Sequence, residues 1–351
     1  MQRPQKPQRN QRLRLQSRPP QQQGIALIMV LLIVAVVSIV ATQTSSRIQF
    51  EIQKAQNRQQ YQQGYWYALG AERLARGLIE AAKKDPTVHL DQAWANTFLT
   101  YPIDGGLMSI QISDQQTCFN LNALSTLNTP EINQPQLPLL QRQLTQLLIE
   151  LDADQNQIPQ LIEPLLDWLD SDTLPTGYQG VEDLHYSSLT PAYLPANGAL
   201  SDISELGLID GFRPTDPQQR EFLERLQPYL CTLPSDTTVI NINTLPADRA
   251  PLLAALSEAK ISAEDIQALL EDRPADGYAD VNAFWDLLPA PASGQPPLDQ
   301  SLKNSLAVTS EFFLARIQIS YYDANLILYS YIMMTADQPT TYQRRYGGPN
   351  E

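Results

Sequence analysis

Apolar residues first gather in one unbroken run. Ile25 to Ala41 holds 17 residues with a single hydroxyl, on Ser38, and no charge. Such a run is at the short end of what spans a bilayer as a helix. From Thr42 to about Lys84 there is no proline, and helix formers such as Gln43, Arg47, Glu51, Lys54, Arg58 and Gln62 recur. Trp66, Gly70, Leu74, Leu78 and Ala81 follow steps of about four, which predicts one apolar face. Together the two stretches predict a single helix from Ile25 to about Lys84, about 90 Å long at 1.5 Å per residue. Asp85-Pro86 breaks it.

The pattern then shortens. Leu107 to Ile112 alternates like a strand, and Cys118 to Leu124 reads as a second extended piece. From about Leu137 to Leu233 helical periods take over, at Gln141–Leu151, Ile158–Leu169, Ser201–Leu208 and Pro217–Leu230. Alternation returns at Thr238–Asn243. Helices are predicted at Pro246–Ala259, Ser262–Leu270 and Val281–Leu287. Glu311–Tyr322 and Asn325–Met334 alternate strongly, with Asp323-Ala324 as the expected tight turn and a flexible tail after Thr335. Strands thus flank a helical block. The predicted class is α+β: a head with a long N-terminal helix, a small antiparallel sheet and a large inserted helical domain. The expected divisions are residues 1–24, 25–41, 42–84, a head from 85–127 and 234–351, and an insertion at 128–233. A faint internal echo links Leu166-Asp167-Trp168-Leu169-Asp170 and Asp202-Ile203-Ser204-Glu205-Leu206 to Leu269-Leu270-Glu271-Asp272 and Asp280-Val281-Asn282-Ala283-Phe284.

Charge changes the picture. The net charge is −14, but residues 1–24 carry six basic side chains and no acid, leaving 18 basic against 38 acidic ones, or −20, in the remainder. Such a body repels phosphate backbones, which argues against nucleic acid. Pro246 to Phe284 has the look of a helix-hairpin-helix unit, but its surface is acidic. Basic residues before the apolar run keep that side cytoplasmic and send the rest out, which makes a disulfide between Cys118 and Cys231 the expected use of the two cysteines. It would staple the base of the insertion; the alternative is two separate buried thiols.

The N-terminus admits three readings: a cleaved secretory signal, an uncleaved single-span anchor, or a prepilin whose basic leader ends in Gly24 and is cut before Ile25. Gly24-Ile25-Ala26-Leu27, Phe119-Asn120-Leu121-Asn122, Leu166 to Asp172, Gly180 to Tyr186, Asp202 to Leu206 and Ile240-Asn241-Ile242-Asn243-Thr244, in that order and spacing, resemble the minor pseudopilin K family of type II secretion systems. The resemblance implies cleavage by prepilin peptidase between Gly24 and Ile25, N-terminal methylation, an inner-membrane helix and a periplasmic body. It also implies a place at the pseudopilus tip with minor pseudopilins I and J, other pseudopilins and the inner-membrane secretion platform, acting in pseudopilus assembly and protein export. Major pilins carry Glu as the fifth mature residue; here that position is Met29, an absence the family shares. The competing readings are a membrane-anchored periplasmic binding protein or hydrolase, or a minor pilin of a type IV pilus.

The candidate chemistry is acidic. Asp167, Asp170 and Asp172 lie within six positions, and Glu182 and Asp183 follow. Clustered carboxylates repel one another unless a cation intervenes, and calcium takes several oxygen ligands from irregular loops. The resemblance also implies calcium here; solvated turn formers are the plainer alternative. A second acidic stretch, Asp152 to Glu163, has EF-hand-like oxygen spacing but Gln157 where glycine is needed and Pro159 inside the loop, so it reads as a helix cap before Ile158. Catalysis has little to stand on. His89 and His185 are the two histidines, and neither adjoins a nucleophile motif.

Overall fold

The computed structural model describes residues 23–95, 99–127, 137–214, 217–291, 296–298, 300–336 and 338–347. The chain divides into two units, Met1–Gln59 and Gln60–Glu351. Residues 1–22 of the expected leader lie outside the described residues. Gly24 and Ile25 fall within helix α1, Gln23–Ala82. Every residue from Gly24 to Gln59 is exposed. Among the described residues this is the one helix long and apolar enough to cross a membrane.

In the second unit α1 acquires a buried face of Gly64, Ala68, Ala71, Glu72, Ala75, Ile79 and Ala82, at helical steps of three and four. This is not the expected face of large residues: Trp66 is 65% exposed and Leu74 36%. Small side chains let the helix lie close on a sheet, and a Cβ on Gly64 would already touch Ile319 at 3.8 Å.

The strands in chain order are β1 (Leu99–Ile103), β2 (Gly106–Asp114), β3 (Phe119–Asn120), β4 (Leu230–Cys231), β5 (Ile240–Asn241), β6 (Leu306–Ala307), β7 (Phe312–Tyr321), β8 (Ala324–Met334) and β9 (Pro339–Gly347). One antiparallel sheet has the order β1-β2-β7-β8-β9. Asp104-Gly105 turns β1 into β2, with Gly105 at φ +83°, a conformation that favours glycine. Tyr322-Asp323 turns β7 into β8, one residue earlier than expected, because Ala324 already pairs with Tyr321. Ile110, Ile112, Phe313, Ala315, Ile317, Ile319, Leu328 and Ile332 face α1 and make the first core with its alanines and Trp94.

The tail is not a loop. Pro339–Gly347 adds a fifth strand along β8. Gly347-Gly348-Pro349 suggested flexibility, but Thr340 to Tyr346 carries the β-branched and aromatic residues that suit a strand. Its side chains hold it: Tyr342 meets Phe312 and Tyr331, Arg344 meets Glu72, and Arg345 meets Asp202. The two sheet edges carry Pro102 on one side and Arg344 and Arg345 on the other, residues that discourage edge-to-edge pairing.

Between the neighbouring strands β2 and β7 the chain leaves the sheet, from Gln115 to Glu311. It forms α2 (Leu139–Glu150), α3 (Ile158–Leu169), α4 (Asp183–Ser187), α5 (Pro217–Leu226), α6 (Ala250–Leu256), α7 (Ala263–Glu271), α8 (Val281–Trp285) and α9 (Gln300–Asn304). One second core runs through this excursion from Phe119 to Leu306. The return to the sheet expected at residue 234 therefore comes at Phe312. Thr238–Asn243 contributes only β5, paired in parallel with β6, because its asparagine side chains are used for bonding across loops.

The faint echo is a repeat in hydrogen bonds. Asn120 Oδ1 accepts the Asn122 N–H at 3.2 Å, and Asn241 Oδ1 accepts the Asn243 N–H at 2.9 Å. Asn122 then bonds both backbone groups of Leu200, at 2.8 and 3.0 Å, and Asn243 both of Tyr278, at 2.7 and 3.0 Å. Two residues later in each case an aspartate caps a helix: Asp202 for the 3-10 turn Ile203–Leu208, Asp280 for α8. Each half also closes a short parallel ladder, β3 with β4 and β5 with β6.

Two features tie the excursion to the sheet. Buried Asp114, at the end of β2, accepts from Gln116 N–H, Thr244, Asn241 and Ser310. Cys118 and Cys231 form a disulfide, with Cα atoms 5.8 Å apart, packed with Leu233 against Phe312 of β7.

Candidate metal centre

The acidic loop hangs from α3. Glu163 and Asp167 stand at i and i+4 on one side of that helix, and Asp170 is the residue that ends it. Glu163 Oε2 accepts the backbone N–H groups of Tyr178 and Gln179 at 2.9 and 2.6 Å. Asp167 Oδ1 accepts the Thr176 N–H at 2.8 Å. The loop passes so close to these carboxylates that a Cβ on Gly177 would collide with Glu163, and one on Gly180 with Asp167. Gly177 sits at φ +64°.

Held this way, the loop delivers Glu182 to the start of α4. Its carboxylate reaches the ends of Asp170 and Asp172: one oxygen from each of the three lies within 4.8 Å of the others. Asp170 Oδ1 accepts the Asp172 N–H at 3.3 Å, and Asp172 Oδ1 the Leu174 N–H at 2.8 Å. Glu182 is 6% exposed, and neither of its oxygens has a hydrogen-bond partner. A buried carboxylate in that condition is costly unless something positive meets it. Of the five acids singled out from the sequence, Asp170, Asp172 and Glu182 are brought together. Asp167 supports the loop from behind, and Asp183 is exposed in the first turn of α4.

Electrostatics agree with the geometry. Burial, then the charges of Asp167, Asp170, Asp183 and Asp172, push Glu182 up to about 7. Burial and the charge of Asp172 push Asp170 up to about 6. Burial raises Asp167, against its bond from Thr176. A cation among these groups removes the cause of the repulsion.

The other sequence candidates fare differently. Asp154 caps nothing: it accepts the Asn156 N–H at 2.9 Å as an isolated turn, and Gln157 begins α3 without a side-chain bond. Glu163 is bonded to the loop, at Tyr178 and Gln179. His185 Nε2 lies 3.7 Å from Asp210 and has no hydrogen-bond partner; the Ser188 hydroxyl donates to the His185 backbone carbonyl, not to its ring. The support role of Glu163 was missed; its place one turn before Asp167 on α3 was the signal that could have found it.

Residues 117–235 and residues 240–309 each match a family model described as type II secretion system (T2SS), protein K. Type II secretion system protein K of Aeromonas hydrophila is 35% identical over 335 residues, covering 94% of this chain and 98% of its own. That of Klebsiella pneumoniae is 35% identical, covering 93% and 97%. The chain belongs to the type II secretion system protein K family. Its role is that of a minor pseudopilin in type II secretion. The fold agrees with a chain of the crystallised GspK-GspI-GspJ complex from the enterotoxigenic Escherichia coli type 2 secretion system, at a TM-score of 0.70 and 30% identity, covering 84% of this chain and 99% of that one. The two matched protein K segments coincide with the two asparagine-anchored halves, and the acidic cluster belongs to the first. In the second half the region after α7 presents Arg273 instead, which donates to the carbonyls of Ile242 and Leu245 at 2.7 and 2.8 Å.

Proposed function

We propose that this pseudopilin is cut by prepilin peptidase between Gly24 and Ile25 and methylated there. Ile25–Ala41 then anchors it in the inner membrane, with the body in the periplasm. It sits at the pseudopilus tip with minor pseudopilins I and J, in contact with other pseudopilins and the inner-membrane platform, and acts in assembly and protein export. The observation that carries this reading is the likeness, over most of the chain, to a component of a complex that contains those two partners. The test is reconstitution. Co-expressed with pseudopilins I and J, the chain should copurify with both, and its deletion should stop export of the system's substrates. Intact secretion in the deletion strain would remove the reading.

We further read the acidic loop as a calcium site. Asp170, Asp172 and Glu182 would hold the ion, and the two unpaired oxygens of buried Glu182 are what support it. Calcium would supply a charge anchor, not reaction chemistry: it would fix the loop between α3 and α4. Isothermal titration of chelator-treated protein with calcium tests it, and absence of binding would sink it.

A further inference from the structure

We infer that Glu163 is a positioning residue for this cation site: it clasps the backbone at Gly177–Gln179 and so sets Glu182 opposite Asp170 and Asp172 without touching the ion. The inference rests on the calcium reading above. Its own support is independent geometry. Glu163 is one turn before Asp167 on α3, and its Oε2 alone takes two consecutive loop N–H groups, at 2.9 and 2.6 Å. Asp167 takes a third, Thr176, at 2.8 Å. Three backbone donors within four residues are thus tied to one rigid helix, just before the chain reaches Glu182. The fit leaves no room for a side chain at 177, where the Glu163 carboxylate occupies the place of a Cβ. Asp170 and Asp172 are already fixed by the end of α3 and by turn hydrogen bonds. Glu182 alone comes from across the loop, and its place depends on how the loop is tied. Groups behind the ligands that orient them typically change metal affinity by roughly 10–100-fold when removed.

The experiment uses the full chain in detergent, stripped with chelator and titrated with calcium by calorimetry. Its variants are Glu163→Ala, Gly177→Ala, the pair together, and Asp170→Asn as a ligand control. The expected result is that Glu163→Ala and Gly177→Ala each weaken calcium roughly 10–100-fold at unchanged stoichiometry. The double variant should be no weaker than the poorer single, because both break one clasp. Melting in chelator should barely move for Glu163→Ala, while the rise in melting temperature on adding calcium shrinks. Wild-type affinity in Glu163→Ala overturns the inference and leaves the calcium reading standing. Equal loss of melting temperature with and without calcium, at unchanged affinity, also overturns it, since that is a purely structural role. No calcium uptake by the unaltered chain overturns the calcium reading and the inference with it.

Discussion

Replacing Arg344 with Met isolates the contact that holds the last strand to the first helix. Glu72 sits on the buried face of α1 with 2% of its side chain exposed, and Arg344 engages it with two bonds, Nε to Oε2 at 2.6 Å and Nη2 to Oε1 at 2.8 Å. Ser330 of β8 adds a third at 2.8 Å, while Arg76 stands off at 4.0 Å. Burial alone would raise the Glu72 carboxyl, but the bonds from Arg344 and Ser330 and the charge of Arg344 hold it below the usual range. Taking one partner from a buried pair costs about 3–5 kcal/mol. Arg344 is 43% exposed, so water can reach the gap it leaves, and a loss of about 3 kcal/mol is expected, toward the low end of that range. That is a large share of a stability of roughly 5–15 kcal/mol. Urea denaturation of the detergent-solubilised chain, followed by near-ultraviolet dichroism, reads it. Glu72→Gln on top of Arg344→Met should recover most of the loss, because the uncompensated charge is gone. The pH dependence has a definite sign. A depressed carboxyl contributes stability that is present above its unfolded value and lost as pH falls through the lower folded one, so the unaltered chain should weaken below about pH 4.5 more steeply than Arg344→Met. A loss under about 1 kcal/mol, the scale of an ordinary surface pair, or a double variant as weak as the single, would refute the reasoning.

Other outcomes follow from the same structure. Chelation should lower the melting temperature of the chain, and Asp170→Asn should abolish that sensitivity; differential scanning calorimetry with and without calcium checks both. Cys118→Ala with Cys231→Ala opens a loop with a sequence separation of 113, and the chain-entropy view sets the cost at up to about 4.7 kcal/mol by urea titration. Asn122→Ala and Asn243→Ala should each cost about 2 kcal/mol or more, because each strands two buried backbone groups, those of Leu200 or of Tyr278. A neutral result at either asparagine would break the claim that the two halves are built alike.

Much of this fold could be read from the residues, for physical reasons that differ by element. α3 runs from Ile158 to Leu169 as its period and Pro159 near its start imply. β7 and β8 carry the alternation of strands with one strongly buried face. Three things were not legible. The buried face of α1 is made of alanines, whose small size signals close approach only once the opposing sheet is known. β9 is an edge strand whose hold on the body is long-range: Arg344 reaches Glu72 across 272 positions. The excursion extends to Glu311 because Asn241 and Asn243 spend their side chains on distant backbone, which cuts a strand-like run to two residues. At the site, the acids were legible as a cluster. Which of them converge was not, because Glu182 reaches Asp170 only through a loop tied to Glu163.

The mass and N-terminal residue of the membrane-extracted chain decide whether this protein is a processed pseudopilin. Produced with active prepilin peptidase, the chain should begin at Ile25, and without the peptidase it should keep Met1. A chain that still begins at Met1 beside the active peptidase, or one cut beyond Ala41, would rule out processing as a pseudopilin.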